Sequence, residues 1–302
     1  MANVGDILTA SFYNSMKARV VSMLSTGSGD KGYGQSIGTW VDATTADVST
    51  AAKWIEMRNY INAARRHQLG NSTGYVEADL PIPVAGSTLI SAAIANAYEA
   101  KTNEIFAQSL TYGAASMTLT ANAFTNTRAA AWSGTIDAEI DVTWPSADAA
   151  RWFFNSGGEI RIVTSHPTGT ANDNSWANAL SRVGTVAMKA HTTTRTGDYG
   201  TPANAGFYEL PVDPAGYSII LDGTNFDPTY AGIPSYQFMD DFYVRAKRTT
   251  NGVRFLVQLI EQNGATMTSG TSIRFSHLKA TTYLDNPTLV TPTFSLFNGN
   301  GL

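Results

Sequence analysis

Residues 146–165 read Ser-Ala-Asp-Ala-Ala-Arg-Trp-Phe-Phe-Asn-Ser-Gly-Gly-Glu-Ile-Arg-Ile-Val-Thr-Ser, and the hydrophobic period changes halfway along. The Ser146 hydroxyl can cap a helix, and Asp148 places negative charge in a first turn, where the free N–H groups favour it. Ala149, Ala150, Trp152, Phe153 and Phe154 then make the helix apolar over too wide an arc for a surface position. This pattern predicts a short helix with Trp152, Phe153 and Phe154 all largely buried. Asn155-Ser156-Gly157-Gly158 ends it, because glycine accepts the left-handed backbone of a helix terminus. Beyond it, Ile160 and Ile162 alternate with Glu159 and Arg161, the period of a half-buried strand.

Immediately upstream, Ile136, Ala138, Ile140, Val142 and Trp144 alternate with Thr135, Asp137, Glu139, Asp141 and Thr143, and Pro145 stops the run. The unit is strand, enclosed aromatic helix, strand. The rest of the chain from 112 onward has the same β character. Candidate strands are 116–120, 127–132, 135–144, 159–165, 185–193, 207–210, 217–221, 237–248, 253–261 and 272–283. Gly, Pro, Asn and Asp between them suggest an antiparallel sandwich. Thr249-Thr250-Asn251-Gly252 marks a tight hairpin, with Asn-Gly supplying two positive-φ residues. A second short helix, capped by Asp173, Asn174 or Ser175, carries Trp176, Leu180 and Val183.

Residues 1–111 read as helical. Thr9 or Ser11 can cap a helix bearing Phe12, Met16, Val20 and Leu24. A second helix from about 49 to 67 carries Trp54, Ile55, Met57, Tyr60, Ile61 and Ala64. A third from about 87 to 108 carries Leu89, Ala93, Ile94, Ala97, Ile105 and Phe106. Pro81 and Pro83 force an extended link between the last two. Val4-Gly5-Asp6-Ile7-Leu8-Thr9 and Val84-Ala85-Gly86-Ser87-Thr88-Leu89-Ile90 form a faint internal repeat. So thin a helical group is expected to bury only part of its apolar stripes by itself. The fold class expected is therefore α+β: a helical assembly region at 1–111, a β-sandwich with a short buried aromatic helix at 112–284, and an extended arm or last strand at 285–302.

Two blocks also carry a family resemblance. Val4-Gly5-Asp6-Ile7-Leu8-Thr9-Ala10-Ser11-Phe12-Tyr13-Asn14, Gly32-Tyr33-Gly34-Gln35 and His67-Gln68-Leu69-Gly70 form one block, and Ala150-Arg151-Trp152-Phe153-Phe154-Asn155-Ser156-Gly157-Gly158 marks the other. Together they cover about half the chain and resemble structural proteins of tailed-bacteriophage virions, including those of cyanobacterial phages. Lys53-Trp54-Ile55 departs from the Trp-Asn expected there. The resemblance implies a non-enzymatic structural subunit of tail, neck or fibre, assembled in the host cytoplasm and working in the virion. Its partners would be further copies of itself, as a trimer or ring formed through the helices, and other virion proteins. The alternative is a receptor- or carbohydrate-binding module on a fibre, meeting a host-surface glycan through Tyr199, Tyr230 and Tyr236. The resemblance brings no catalytic residue with it.

Composition narrows the chemistry. The 302 residues carry a net charge of −4 and only 15% charged side chains, which speaks against the basic surface a nucleic-acid partner needs. No cysteine means no disulfide or thiolate site. No run is apolar enough to insert in a membrane, and Met1–Asp6 lacks the features of a signal peptide. Gly27-Ser28-Gly29-Asp30-Lys31-Gly32 matches a dinucleotide loop but follows a helix instead of a strand, so it reads as a flexible loop. Asp137, Glu139 and Asp141 share a strand face, and Asp240-Asp241 form a pair; a solvated sheet face accounts for both. His67, His166, His191 and His277 lack metal-ligand spacing, with His67 at a helix end that favours a cation. No Gly-x-Ser-x-Gly elbow occurs, and the sequon at Asn71-Ser72-Thr73 stands alone. Catalytic, cofactor and metal residues are accordingly expected to be none, with no enzyme activity; a polysaccharide-cleaving site would need two carboxylates across one cleft.

Overall fold

A computed structural model describes residues 8–44, 50–70, 80–84, 90–223, 240–262, 264–284 and 290–299. The sequon, the Gly-Asp lead-in, most of the second repeat segment, Tyr230 and Tyr236 lie outside those residues. The chain divides into two units: Met1–Thr118 with Arg151–Gly157 and Lys279–Val290, and Leu119–Ala150 with Gly158–Leu278 and Thr291–Leu302. The first is helical and the second is built of sheets, which gives the α+β class.

In the helical unit, α1 (Ala10–Leu24) starts at Thr9, whose hydroxyl accepts from the Phe12 N–H. α2 (Ala51–Leu69) ends at Gly70 in the left-handed conformation, and α3 (Ala92–Ala107) is capped by Ser91. The apolar stripes meet through edge-on rings: Tyr13 to Trp54 at 5.5 Å and Trp54 to Tyr98 at 5.0 Å. Tyr13, Met16, Val20, Met23, Trp54, Met57 and Ile61 are fully buried, so the stripes are covered further than the sequence suggests. The cover comes from distant segments such as Trp40, Leu80, Ala280 and Leu284, which join the same core.

The β unit holds eleven strands in two antiparallel sheets, counted among the described residues. They are β1 (Met117–Thr127, in this unit from Leu119), β2 (Thr135–Thr143), β3 (Glu159–Ser165), β4 (Thr185–Met188), β5 (Thr193–Arg195), β6 (Thr201–Pro202), β7 (Ser218–Gly223), β8 (Asp241–Thr249), β9 (Gly252–Ile260), β10 (Ser272–Ala280) and β11 (Thr293–Asn298). One sheet runs β1-β10-β3-β4-β5 and the other β11-β2-β9-β8-β7-β6. Ile136, Ala138, Ile140 and Val142 all point inward from β2, as their alternation requires. Phe255 of β9 meets Phe275 of β10 at 5.5 Å, closing the sandwich between the sheets. The tail forms the edge strand β11.

Several expectations shift. Residues 128–131 form no strand; Trp132 makes a single bridge to Met267. Residues 185–193 split into β4 and β5, and Phe207–Glu209 is a 3-10 turn. The hairpin turns on Thr250-Asn251, because Thr249 pairs with Gly252, and neither turn residue has positive φ. Gly252 is needed for another reason: a Cβ there would collide with the Val142 carbonyl of β2. The helix α4 (Ala147–Asn155) belongs to the helical unit from Arg151 on. Phe153 and Phe154 are buried, but Trp152 is only half-buried. The helix α5 (Ala171–Val183) starts at Thr170, one turn before the expected caps, with Asp173 completing a capping box.

Candidate functional site

The glycine-rich stretch is not loose. After α1, the chain turns back along the helix end, with Tyr33 N–H on the Met23 carbonyl and Gln35 N–H on the Leu24 carbonyl, at 2.9 and 2.8 Å. Its carbonyls converge on the end of α4. Arg151 donates to Thr26 O and Lys31 O at 2.6 Å each, and to Gly29 O at 3.2 Å. Trp152 Nε1 reaches Thr26 O at 2.9 Å, and Asn155 Nδ2 reaches Lys31 O at 2.9 Å and Gly32 O at 3.2 Å. A dinucleotide loop turns N–H groups toward an anion; this loop turns carbonyls toward a guanidinium. Gly34, at φ 68°, lies against the Trp152 ring, where any Cβ would overlap it. Replacing Arg151 by lysine should cost about 1–3 kcal/mol in denaturant unfolding, since a single ammonium cannot span Thr26 O and Lys31 O as the planar fork does. An unchanged midpoint would mean the clamp does not hold the loop.

The His67-Gln68 pair meets the same segment. His67 is fully buried, with Nε2–H donating to Ser156 O at 3.1 Å and its ring edge-on to Tyr33 at 5.1 Å. Gln68 Nε2 donates to Ile105 O at 2.8 Å and Gln108 O at 3.1 Å. Burial pushes the His67 pKa down to about 4, opposed only in part by the Ser156 carbonyl. The expected helix-end cation is thus a neutral imidazole. The unfolded chain takes up this proton near pH 6.5 and the folded one only near pH 4, so stability is lost as pH falls across that window. The loss should total roughly 3 kcal/mol and shrink in His67→Gln, measured by unfolding at stepped pH. An equal loss in the variant would assign it elsewhere.

The β unit contains a second buried cluster. His166 Nδ1 lies 2.8 Å from Thr271 Oγ1, and its Nε2–H donates to Asp173 Oδ1 at 2.8 Å. Asp173 Oδ1 also accepts from Thr268 N–H at 2.9 Å, and Oδ2 accepts from the Thr170 N–H and hydroxyl at 2.8 Å each. Burial works to raise the Asp173 pKa, but His166, Thr268 and Thr170 outweigh it and hold the carboxyl well below the usual range. Thr, His and Asp in series resemble an acyl-transfer triad. Two features deny that role: Trp132 Nε1 donates to Thr271 Oγ1 at 2.9 Å, and the side chains of His166 and Asp173 are completely enclosed. The cluster instead ties the start of α5 to the ends of the strands. Sequence reading missed it, although Thr170-x-x-Asp173 is a capping-box signature.

The acidic face of β2 is engaged with its neighbours. Asp141 takes a two-pronged bond from Arg254 at 2.6 and 2.9 Å, Asp137 accepts from Gln258 at 2.8 Å, and Glu139 accepts from the Tyr217 hydroxyl at 2.7 Å. Gln262 bonds both Asp240 and Asp241, through its N–H and its side-chain amide. Burial, with Glu261 and Asp241 adding repulsion against the Gln262 N–H, pushes the Asp240 pKa up to about 7. Glu261 accepts from Trp176 Nε1 at 3.1 Å, and Asp240 beside it is a candidate acid–base group. His191 pairs with Glu209 at the surface, and His277 stacks on Phe294. Among the described residues, no three His, Cys, Asp or Glu side chains gather as metal ligands. Tyr199 packs on Arg182. No family model, curated protein or solved structure matches the chain.

Proposed function

We propose that the chain is a non-enzymatic structural subunit of a tailed-phage virion, in the tail, neck or a fibre, assembling with itself and with neighbouring virion proteins. The observation that carries this reading is the convergence of the motifs behind the resemblance. Gly32-Tyr33-Gly34-Gln35, His67-Gln68 and Arg151–Gly157 are far apart in sequence, yet they interlock within the helical unit. A resemblance resting on such residues follows an architecture, not a surface active site. The side chains of the His166 cluster and of the acidic β2 face are engaged with their neighbours.

Two measurements test the proposal. Mass spectrometry of gradient-purified particles should find the chain as a particle component, and recovery only in the soluble lysate would overturn the virion assignment. Purified protein should not turn over glycans or esters. Turnover abolished by Asp240→Asn would overturn the non-enzymatic part and make Asp240 with Glu261 an acid–base pair.

A further inference from the structure

The chain contains four Asn-Gly pairs, beginning at 251, 263, 298 and 300, and two of them, Asn251-Gly252 and Asn298-Gly299, lie wholly within the described residues. In such a pair the backbone nitrogen of the glycine can attack the asparagine side-chain carbonyl, because no Cβ on the glycine hinders the approach. In a folded chain two further conditions apply. The carboxamide must be free to turn onto the next nitrogen, and that nitrogen must not be held in a hydrogen bond.

The two pairs differ on both counts. Asn251 is tied down: its Nδ2 donates to Trp144 O at 2.7 Å, and its own carbonyl accepts from the Trp144 N–H at 3.0 Å. Gly252 opens β9 in register with Thr249 of β8 on one side and Thr143 of β2 on the other. The Val142 carbonyl lies so close that even a Cβ would collide with it. Asn298 is the opposite case. It is the last residue of β11, exposed, and it follows the register shift after Leu296. Its carboxamide makes no hydrogen bond among the described residues, and neither does the Gly299 N–H.

We infer that Asn298 is a site of spontaneous deamidation, with water as the co-reactant, and that its conversion loosens the end of β11 from β2. The Gly299 nitrogen bonds to Asn298 Cγ and passes its proton through water to the side-chain nitrogen. The Cγ–Nδ2 bond breaks and ammonia leaves, closing a five-membered imide. Water then opens the ring. Cleavage between Cγ and the ring nitrogen leaves an aspartate in an ordinary main chain; cleavage at the main-chain carbonyl leaves isoaspartate, with the chain running through Cγ. Either product carries a carboxylate where the amide stood. Asn298 pairs with Glu139 of β2, and like charges directly opposite one another weaken a ladder. Isoaspartate also lengthens the main chain by one atom, which disturbs the pairing. β11 pairs with β2 alone among the described strands, so this ladder is what the new charge acts on. The modification needs no partner chain, so it is independent of the virion reading.

The test ages the full-length protein at mildly alkaline pH and follows each Asn-Gly peptide by mass spectrometry for conversion of amide to acid. In the folded protein Asn298 should convert at least about tenfold faster than Asn251, since the hairpin must first open locally before Asn251 can react. In concentrated urea the two rates should converge, because the fold no longer separates them. As a second measurement, Asn298→Asp fixes one product in advance. Its β11 amides should exchange hydrogen several-fold faster than those of the neutral Asn298→Ser at neutral pH. Equal rates in the folded protein, a faster Asn251, or a gap that persists in urea would overturn the site. Exchange in Asn298→Asp no faster than in Asn298→Ser would overturn the loosening.

Discussion

Replacing Asp173 by alanine should remove about 3–5 kcal/mol from the stability of the β unit, because it deletes an enclosed carboxylate that holds hydrogen bonds from His166, Thr170 and Thr268 at once. The carboxylate accepts from His166, from both the N–H and hydroxyl of Thr170, and from the Thr268 N–H. Its removal leaves the buried His166 without its acceptor, and deletes half of the capping box of α5. Asp173→Asn keeps the shape and one acceptor oxygen, so it should fall between wild type and alanine. The acid response gives a separate signature. The Asp173 carboxyl is held below its usual range, so its contribution is present above the ordinary carboxylate pKa of about 4 and disappears as pH falls further. That window lies below the one expected for His67. Urea unfolding of the three proteins at neutral pH decides the matter: an alanine variant within about 1 kcal/mol of wild type would mean that the cluster is not a strut.

What could be read from the sequence depended on whether the deciding contacts were local. Glu159–Ser165 matches the expected strand to the residue, because its period of two needs no partner to be visible. The cap of α1 is legible as Thr9 or Ser11 for the same reason, and Thr9 takes it. The hairpin lies at Thr249–Gly252, where the sequence places it, but Asn251-Gly252 does not take the positive φ that a local turn rule assigns, and Gly252 is fixed instead by the approach of β2 at Val142. The clamp on the glycine-rich loop joins Arg151 to Thr26 across 125 residues, and nothing in either stretch announces the other. Trp152 was expected inside with its neighbours. Its indole N–H is drawn to Thr26 O and Gly34 lies on its face, which leaves the rest of the ring half-exposed. Asp173 was visible as a helix-start residue. Its hydrogen bond from Thr268 is not, since Thr268 lies 95 residues on.

The aromatic helix supplies the second large effect. Phe153 is fully buried, and it meets Phe154, 1% exposed, edge-on at 5.0 Å and 89°. Truncating such a ring removes its transfer free energy and leaves a cavity that close-packed neighbours refill only in part. Phe153→Ala should therefore cost about 3–5 kcal/mol, and Phe154→Ala about the same. In a unit of this size, that is a fall of roughly 10 °C in melting temperature. Trp152→Ala should cost less despite the larger ring. Part of that ring already faces solvent, and what it loses is chiefly one hydrogen bond to Thr26 and the contact with Gly34. The order, with both phenylalanines above the tryptophan, separates a helix anchored by its buried pair from one anchored by its largest side chain. If Phe153→Ala and Phe154→Ala both melt within a degree of wild type, or if Trp152→Ala is the worst of the three, α4 is not held by the packing described. A second comparison isolates that packing from the clamp one turn away. Phe153→Leu retains most of the apolar volume and should recover much of the loss, whereas it leaves the bonds of Arg151 to the loop carbonyls as they are. A leucine variant as unstable as alanine would show that ring geometry, not volume, sets the position of the helix.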